Sequence, residues 1–399
     1  MKYLFIVQGE GRGHLTQCIA LEEILRNNGH EVVEILVGKS NARSLPEFFG
    51  RSVHAPVGRF ESPNFLPTAS NKRDNIMRSV AYNLAKVPTF WRSIRYIRQR
   101  IRETEADVVI NFYELLTGFA YAFYPITVPQ ICIGHQYLFL HRDFDLPRRL
   151  KAKILMLNFF SRLTSFGAYK RLALSFKQLD EDKKQHICVV PPLLRKEVFR
   201  QQTTPGDYIH GYMVNAGFGE NVMEWHKRNP SVPLRFFWDR KGEERIKRID
   251  DTLSFYQLDD TEFLRQMSGC KAYASTAGFE SICEAMYLGK PILMVPAHIE
   301  QDCNAYDAAA NGAGIVSNDF NLDRLVEFAG QYRPNPDFRT WVQKAPYIII
   351  NNIPSVAFCN EKGRLATYLQ IIREKKAKLY RYIQIICILL PLIYRNTPC

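Results

Sequence analysis

Apolar runs alternate with glycine-rich turns and helical stretches along the first part of the chain. Short apolar runs predict buried strands at residues 3–7, 31–37, 106–111 and 130–133, and an apolar periodicity of helical type predicts a helix at residues 15–27. Strands connected through helices in this way are parallel and are covered on both faces. The pattern therefore predicts an α/β fold with a Rossmann-like parallel sheet.

The same pattern starts again in the second part of the chain. Strands are predicted at residues 208–215, 234–238, 271–275 and 292–295, and helices at residues 221–227 and 261–267. A chain of 399 residues is too long for one hydrophobic core. We therefore expect two domains, residues 1–200 and residues 207–350, followed by a helix at residues 355–376 and a basic, apolar tail at residues 377–399.

The stretch of residues 273–304 contains the strongest candidate for a ligand site. A turn ending at Gly278 precedes a predicted helix, and the unpaired N–H groups and positive dipole end of such a helix suit a phosphate. Ser281 adds a hydroxyl, and Glu284 is far enough into the helix to accept hydrogen bonds from the cis-diol of a ribose. A strand–helix–strand unit with a solvated Glu284 fits the same pattern.

One motif in this stretch resembles that of a known enzyme class. The signature of nucleotide-diphosphate-sugar binding in GT-B glycosyltransferases is similar to Gly278-Phe279-x-Ser281-x-x-Glu284-Ala285-x-x-x-Gly289-x-Pro291, followed by Glu300-Gln301. The resemblance is to family 28, which includes MurG-like and galactolipid-synthase-like enzymes, and to the related family 1 UDP-glycosyltransferases. It covers most of residues 1–370. It implies two Rossmann-like domains that face each other across a cleft, the first binding the acceptor and the second the donor.

The resemblance also implies roles for individual donor-side residues. Gly278 and Ser281 would hold the diphosphate, Glu284 the ribose, and Glu300 with Gln301 the sugar hydroxyls. The whole donor-binding set that we expect is Gly217, Gly219, Gly278, Phe279, Glu280, Ser281, Glu284, Glu300 and Gln301. Two positions depart from the family 1 pattern, because Thr276 replaces a His and Glu280 replaces an Asn. An ionised Glu280 would repel a diphosphate unless its side chain turns away.

The glycine-rich turn after the first strand carries the candidate catalytic residue. It is not a dinucleotide fingerprint, because His14 stands where the third glycine would be. By resemblance, family 28 has a glycine loop ending in Gly-His here, and a nearby His is the general base of family 1. An imidazole with a pKa near 6.5 suits that role for His14, although His14 could instead cap the helix. The expected acceptor-side residues are Gly11, Gly13, Glu114, His135 and Gln136.

Charge and cysteine usage restrict the cellular setting. The formal net charge of +13 calls for an anionic partner, and the nine cysteines show no C-x-x-C pair, which suits a reduced cytosolic protein. No apolar run is long enough to span a bilayer. Basic and aromatic residues alternate in residues 90–102, 146–171 and 373–394, as in interfacial helices. We therefore expect a cytoplasmic protein held peripherally at the anionic inner face of the plasma membrane.

Together these observations predict an inverting, metal-independent glycosyltransferase without a cofactor. It would move a sugar from a nucleotide-diphosphate sugar, a UDP-sugar by resemblance, to a hydroxyl of a lipid-linked or cell-envelope acceptor. The D-x-D sequence at residues 143–145 is interpreted as a surface turn. A UDP-sugar epimerase of the same architecture and a non-catalytic nucleotide-sugar-binding subunit remain alternatives. No nucleic-acid-binding motif is present, and nucleic acid is not an expected partner.

Overall fold

The computed structural model describes residues 1–39, 45–63, 82–83, 85–146, 150–213, 216–240 and 242–354, the side chains of Ala152, Lys153 and Ala216 excepted. The predicted helix at residues 355–376, the tail at residues 377–399 and the third basic run therefore lie outside the described residues. The described chain folds into two α/β halves, each built on a seven-stranded sheet.

The first half contains a parallel sheet in the order β3-β2-β1-β4-β5-β6-β7. Its strands are β1 (Lys2–Val7), β2 (Glu31–Lys39), β3 (Val57–Glu61), β4 (Val108–Phe112), β5 (Gln130–Gly134), β6 (Ala168–Leu174) and β7 (Ile187–Val190). Its helices are α1 (Arg12–Asn27), α2 (Glu47–Ser52), α3 (Val87–Glu103), α4 (Leu115–Phe123) and α5 (Lys151–Thr164), with a 3₁₀ helix at His135–Leu140. The strands are apolar runs because helices cover both faces of the sheet.

The second half repeats this plan in the order β10-β11-β9-β8-β12-β13-β14. Its strands are β8 (Ile209–Met213), β9 (Leu234–Trp238), β10 (Ile246–Arg248), β11 (Leu253–Gln257), β12 (Ala272–Ser275), β13 (Ile292–Met294) and β14 (Gly314–Val316). The helices from the linker onward are α6 (Lys196–Phe199), α7 (Gly219–Arg228), α8 (Asp260–Gly269), α9 (Phe279–Tyr287), α10 (Ile299–Ala310), α11 (Asp323–Gln331), α12 (Pro336–Gln343) and α13 (Ala345–Asn352). Among the described strands of this sheet, β10 alone pairs antiparallel, and it lies at the edge.

The last described helices return to the first half. The indole N–H of Trp341 in α12 donates to the carbonyl of Ser175 at 2.9 Å, and Lys170 Nζ donates to Asn352 Oδ1 of α13 at 3.1 Å. Phe176 packs against Phe279 with ring centroids 5.0 Å apart. The apolar core is therefore continuous between the two halves.

Three local predictions were wrong in detail. Helix α1 begins at Arg12 rather than at residue 15, because the extended Gly11 is its N-cap and the following residues are already helical. Residues 47–61, for which the local pattern predicts no element, contain α2 and β3, because β3 gains backbone pairing along β2 that neighbouring residues do not indicate. Glu300 and Gln301 lie in the first turn of α10, a helix that was not predicted from the local pattern.

Among residues 1–354, so far as they are described, no helix has the length and apolarity required to cross a membrane.

Candidate active site

The two halves approach each other where their strands end. The 3₁₀ helix after β5 and the start of α1 belong to the first half, while the starts of α9 and α10 belong to the second. Gln136 Nε2 donates to Glu300 Oε1 at 3.0 Å, and the ring of His135 stacks on Phe279 with centroids 4.0 Å apart. Ligands of open α/β sheets bind at such carboxyl ends, so this cleft is the candidate active site.

His14 lies in the first turn of α1 and is only 9% exposed. Its Nδ1 is 3.3 Å from Gln17 Oε1, and its ring stacks on Tyr113 with centroids 5.9 Å apart. Burial lowers the pKa of His14 below 6.5, although the Glu300 carboxylate and the Gln17 hydrogen bond oppose that shift. The N-cap of α1 is Gly11, so His14 does not cap the helix. The imidazole is therefore neutral at pH 7 and able to accept a proton.

Gly13 allows the two halves to come into close contact. A Cβ at this position would be 3.1 Å from Glu280 Cγ, tighter than most contacts of a real Cβ. A Cβ at Gly11 would make only ordinary contacts, with Gln8 and His14 at 3.7 Å. Of the two predicted acceptor-side glycines, Gly13 is thus the one that the packing requires.

Glu280 turns towards α1 and is buried there. Burial raises the pKa of Glu280 well above its usual range, although the nearby Gln17 side chain and the charge of Arg195 oppose that shift. Its Oε1 has no hydrogen-bond partner in the structure. Burial thus favours the protonated carboxyl group, which weakens the repulsion of a diphosphate that the sequence suggested.

Glu284 is paired with Arg195, which lies between β7 and α6 and was not singled out from the sequence. Arg195 Nε donates to Glu284 Oε1 at 3.2 Å, and its Nη1 donates to Asp260 Oδ2 at 3.2 Å. Burial raises the pKa of Glu284, and the charge of Arg195 opposes that shift. A single cation in a linker gives no sequence signal of this kind, so Arg195 was missed.

The start of α9 is open to a ligand. Gly278 is the N-cap of α9 and has no side chain. No side chain at the N-cap therefore accepts a hydrogen bond from the first N–H groups of this helix. Ser281 Oγ donates to the carbonyl of Gly278 at 3.1 Å and lies 3.4 Å from Ser275 Oγ. Helix N–H groups and a hydroxyl in this arrangement suit a phosphate.

Two other predicted residues, Gln301 and His135, make hydrogen bonds to the protein backbone. Gln301 Oε1 accepts from the Ala297 N–H at 2.8 Å, which fixes the loop before α10. His135 Nδ1 donates to the Leu174 carbonyl at 2.7 Å, and burial lowers the pKa of His135 to about 3. Its Nε2 lies 3.9 Å from Asp307 Oδ2 in α10, and burial raises the pKa of Asp307 to about 6.

Glu114 is inside the first half rather than in the cleft. Ser62 Oγ donates to its two carboxylate oxygens at 2.9 and 3.0 Å, and the Leu116 N–H donates at 3.1 Å, which makes Glu114 the cap of α4. Burial raises the pKa of Glu114 to about 7. The side chain next to His14 is instead Tyr113, which the sequence did not single out.

Gly217 and Gly219 lie at the start of α7. Gly217 belongs to a 3₁₀ turn at Ala216–Phe218, and Gly219 is the first residue of the helix. A Cβ at Gly219 would be 3.1 Å from the Trp238 ring, so this glycine serves packing. The contacts of the structure unite His14, Gln136, Glu280 and Glu300. The two glycines lie at the start of α7, which follows β8, and β8 pairs in parallel with the β12 strand that precedes α9.

Solved structures support the architecture of the two halves. The glycotransferase of kitacinnamycin aligns with a TM-score of 0.59 at 16% identity, over 88% of this chain and 99% of that one. UGT89C1 of Arabidopsis thaliana complexed with UDP aligns with a TM-score of 0.55 at 14% identity, over 94% of this chain and 99% of that one. The predicted GT-B fold is confirmed by these likenesses.

The sequence itself identifies the family. No curated protein matches the chain. The model of the family described as glycosyl transferase family 1 matches residues 1–332, which is most of the chain. The two-sheet fold and a cleft with a neutral histidine agree with that match. This chain belongs to glycosyl transferase family 1.

Proposed function

We propose that this glycosyltransferase is an inverting enzyme that transfers the sugar of a UDP-sugar to an acceptor hydroxyl. The observation that carries the proposal is the neutral, buried His14 on one side of the cleft opposite the uncapped start of α9 on the other. The UDP and UDP-L-rhamnose complexes of UGT89C1, at TM-scores of 0.55 and 0.54, support UDP as the nucleotide. A closer kinship with family 28 remains part of this proposal.

The chemical step follows from the two sides of the cleft. His14 removes the proton of the acceptor hydroxyl, and the oxygen attacks the anomeric carbon from the face opposite the diphosphate. The bond between that carbon and the diphosphate oxygen breaks, and UDP leaves with the electron pair. The N–H groups and dipole of α9 stabilise the charge that develops on UDP, so the proposed step needs neither metal nor cofactor.

The donor is held by residues of the second half. In the proposal the α9 start around Gly278 and Ser281 binds the diphosphate, and Glu284 binds the ribose while Arg195 fixes one of its oxygens. Glu300 binds the sugar, and in the free enzyme its carboxylate is occupied by Gln136. The protonated Glu280 can donate a hydrogen bond to an anionic ligand instead of repelling it.

The acceptor is proposed to be lipid-linked or a cell-envelope glycan, reached from an anionic cytoplasmic membrane surface. Trp91 and Phe123 are 40% and 43% exposed although their rings are 5.1 Å apart, and Arg98 lies over the neighbouring Tyr124 at 4.5 Å. Exposed aromatics beside arginine suit a lipid interface.

The membrane proposal is tested by co-sedimentation with liposomes that contain or lack anionic lipid. Binding should need anionic lipid, weaken with salt and drop in a Trp91→Ala, Phe123→Ala double variant. An Arg245→Ala variant is the control, because Arg245 is an exposed cation of the second half. Absence of binding at low salt would contradict the membrane surface and favour a soluble acceptor.

Transfer itself is tested with UDP-sugars in the presence and absence of lipid extract. A product that needs both the UDP-sugar and the extract supports transfer. Conversion of the UDP-sugar alone indicates epimerisation, and binding without either product indicates a non-catalytic subunit. Stabilisation by UDP is the first readout, because a hundredfold excess over its Kd raises the free energy of unfolding by about 2.7 kcal/mol.

A further inference from the structure

A buried arginine lies between two carboxylates in the segment that joins the two halves. Arg195 follows β7 and precedes α6, and only 7% of its side chain is exposed. Its Nε donates to Glu284 Oε1 of α9 at 3.2 Å, and its Nη1 donates to Asp260 Oδ2 of α8 at 3.2 Å. The planar guanidinium is therefore divided between two helices of the second half.

The first half contacts the same guanidinium. Its central carbon lies 6.0 Å from the ring centroid of Phe48 in α2, at a distance where the face of an aromatic ring attracts a cation. The next residue, Lys196, pairs with the first half instead, since its Nζ lies 3.2 Å from Glu23 Oε1 of α1. Contacts with both halves thus fix the direction of Arg195.

The division of the guanidinium leaves one carboxylate oxygen of Glu284 open. An arginine that faces a single carboxylate can occupy both of its oxygens through two parallel N–H bonds. Here the second arm bonds to Asp260, so only Oε1 of Glu284 is taken. Within the described part of the chain, Glu284 Oε2 has no hydrogen-bond partner. A carboxylate oxygen has two lone-pair sites, so Oε2 can accept from both hydroxyls of a cis-diol.

We propose that Arg195 and Asp260 are the positioning residues of the ribose site. Asp260 accepts from one arm of the guanidinium, so Arg195 fixes only one oxygen of Glu284 and leaves the other open to the hydroxyls of a ribose. The proposal rests on the proposed role of Glu284 in donor binding. It adds the substrate class, because a site arranged for a cis-diol selects ribonucleoside diphosphates over their 2′-deoxy counterparts.

The charge of Arg195 also favours an ionised, hydrogen-bond-accepting Glu284. Burial raises the pKa of Glu284, and the charge and hydrogen bond of Arg195 oppose that rise, whereas the carboxylates of Asp260 and Glu197 add to it. Burial favours the neutral form of the other titratable neighbours, which are Tyr273 of β12 and Glu280 and Cys283 of α9. The surroundings of Glu284 thus leave the task of holding the acceptor to Arg195.

Binding of UDP and of 2′-deoxy-UDP, measured by titration calorimetry, tests the proposal without turnover. The parent should bind UDP about 10–100-fold more tightly, because without the 2′-hydroxyl a buried acceptor is left unpaired. Arg195→Met keeps an unbranched side chain but removes both bonds. The ratio of the two affinities should therefore fall towards one, through weaker binding of UDP and not through tighter binding of 2′-deoxy-UDP.

Lys196→Met is the matched control in the same segment. It removes the neighbouring cation, which pairs with Glu23 of the first half, and it leaves the bonds of Arg195 in place. Its ratio of UDP to 2′-deoxy-UDP affinity should equal that of the parent. A parent ratio in Arg195→Met, or an equal loss of the ratio in Lys196→Met, would overturn the proposal.

Two variants of Asp260 test whether the division of the guanidinium matters. Asp260→Asn keeps an oxygen that accepts from Nη1 of Arg195, so it should keep the parent ratio. Asp260→Leu fills similar space without an acceptor, so both arms of Arg195 can turn to Glu284 and occupy its two oxygens. UDP should then bind about tenfold more weakly, and 2′-deoxy-UDP should change less. A parent ratio in Asp260→Leu would overturn the part assigned to Asp260.

Glu284→Gln distinguishes a failure of this proposal from a failure of the proposed function. If this variant binds UDP like the parent, or if the parent itself does not bind UDP, the proposed donor site is refuted and the positioning role with it. If Glu284→Gln weakens UDP binding while Arg195→Met and Asp260→Leu keep the parent ratio, only the positioning role is refuted.

Thermal unfolding identifies any variant that fails to fold. Arg195→Met is the variant at risk, because it leaves the buried carboxylate of Glu284 without its partner. The side chain of Asp260 is 24% exposed, so the two Asp260 variants should fold. They then decide the proposal by themselves, since each predicts a different ratio.

Discussion

Helices α1 and α9 begin in the same way but provide different chemistry. Each follows a buried parallel strand and starts at a glycine N-cap without a side-chain cap bond, Gly11 for α1 and Gly278 for α9. They meet where Gly13 faces Glu280. The first turns of α1 carry a base and an amide, whereas those of α9 carry a hydroxyl and carboxyl groups.

Burial shifts the pKa values at these two helix starts in opposite directions, but in both cases it favours the uncharged form of the side chain. It lowers the pKa of His14 in α1, and it raises the pKa values of Glu280 and Glu284 in α9. Desolvation always disfavours the charged form, so an imidazole loses its proton and a carboxyl group keeps one. At the two helix starts burial thus favours the neutral forms of His14 and Glu280, while Glu284 keeps its ion pair with Arg195. The positive dipole ends of both helices suit an anionic donor.

The largest expected effect comes from removing the base on the α1 side. His14→Ala should reduce transfer about 10²–10⁴-fold, because a positioned general base contributes on that order. Donor binding should change little, since the donor contacts the α9 side. Turnover is compared with UDP binding in a thermal-shift assay. Near-normal transfer would assign His14 to structure alone.

The next largest effect concerns the ion pair behind α9. Arg195→Met leaves the buried Glu284 without its partner and should lower the free energy of unfolding by about 3 kcal/mol. Arg195→Met combined with Glu284→Leu should recover most of that loss while UDP binding weakens. Urea denaturation of the single and double variants, with and without UDP, measures both effects. A double variant that binds UDP like the parent would contradict the ribose role of Glu284.

An effect of similar size, spread over the range from about pH 4.5 to 7, is expected at Glu114 in the first half. Its folded pKa of about 7 lies above the unfolded value of 4.5, so its contribution to stability is complete below pH 4.5 and is lost as pH rises through 7. Glu114→Gln removes this titration. Relative to the parent, the variant should gain about 3 kcal/mol between pH 5 and pH 9, measured by urea denaturation at several pH values. If the difference in free energy of unfolding between the variant and the parent does not change with pH, Glu114 does not titrate in this range.

The smallest effects compare two glycines that start the facing helices. Gly13→Ala should lower the free energy of unfolding by about 1 kcal/mol, because its methyl group would crowd Glu280. Gly278→Ala meets only Ser281 Oγ at 3.7 Å, so it should leave the free protein unchanged and weaken UDP binding by crowding the diphosphate. Thermal unfolding with and without UDP separates the two. The reverse pattern would exchange the roles that we assign to α1 and α9.

The strand–turn–helix plan was predictable because its signals are local. Apolar runs, glycine turns and the stop of α9 at Gly289, which has a positive φ of 69°, follow from neighbouring residues. Gln17 could also have been found, since it lies one helical turn after His14. The edge strand β3 could not, because its pairing with β2 depends on a distant segment.

The sequence by itself determined the two-sheet plan, the turn before α9 and the residue types near the cleft. Only the tertiary structure decided which of these residues meet and which are charged. It placed Arg195 against Glu284, 89 residues away, and Gln136 against Glu300, 164 residues away, and it used Glu114 as a helix cap instead of a cleft residue. Burial then set the protonation of His14 and Glu280, and burial is a property of the packed molecule that no local pattern of residues contains.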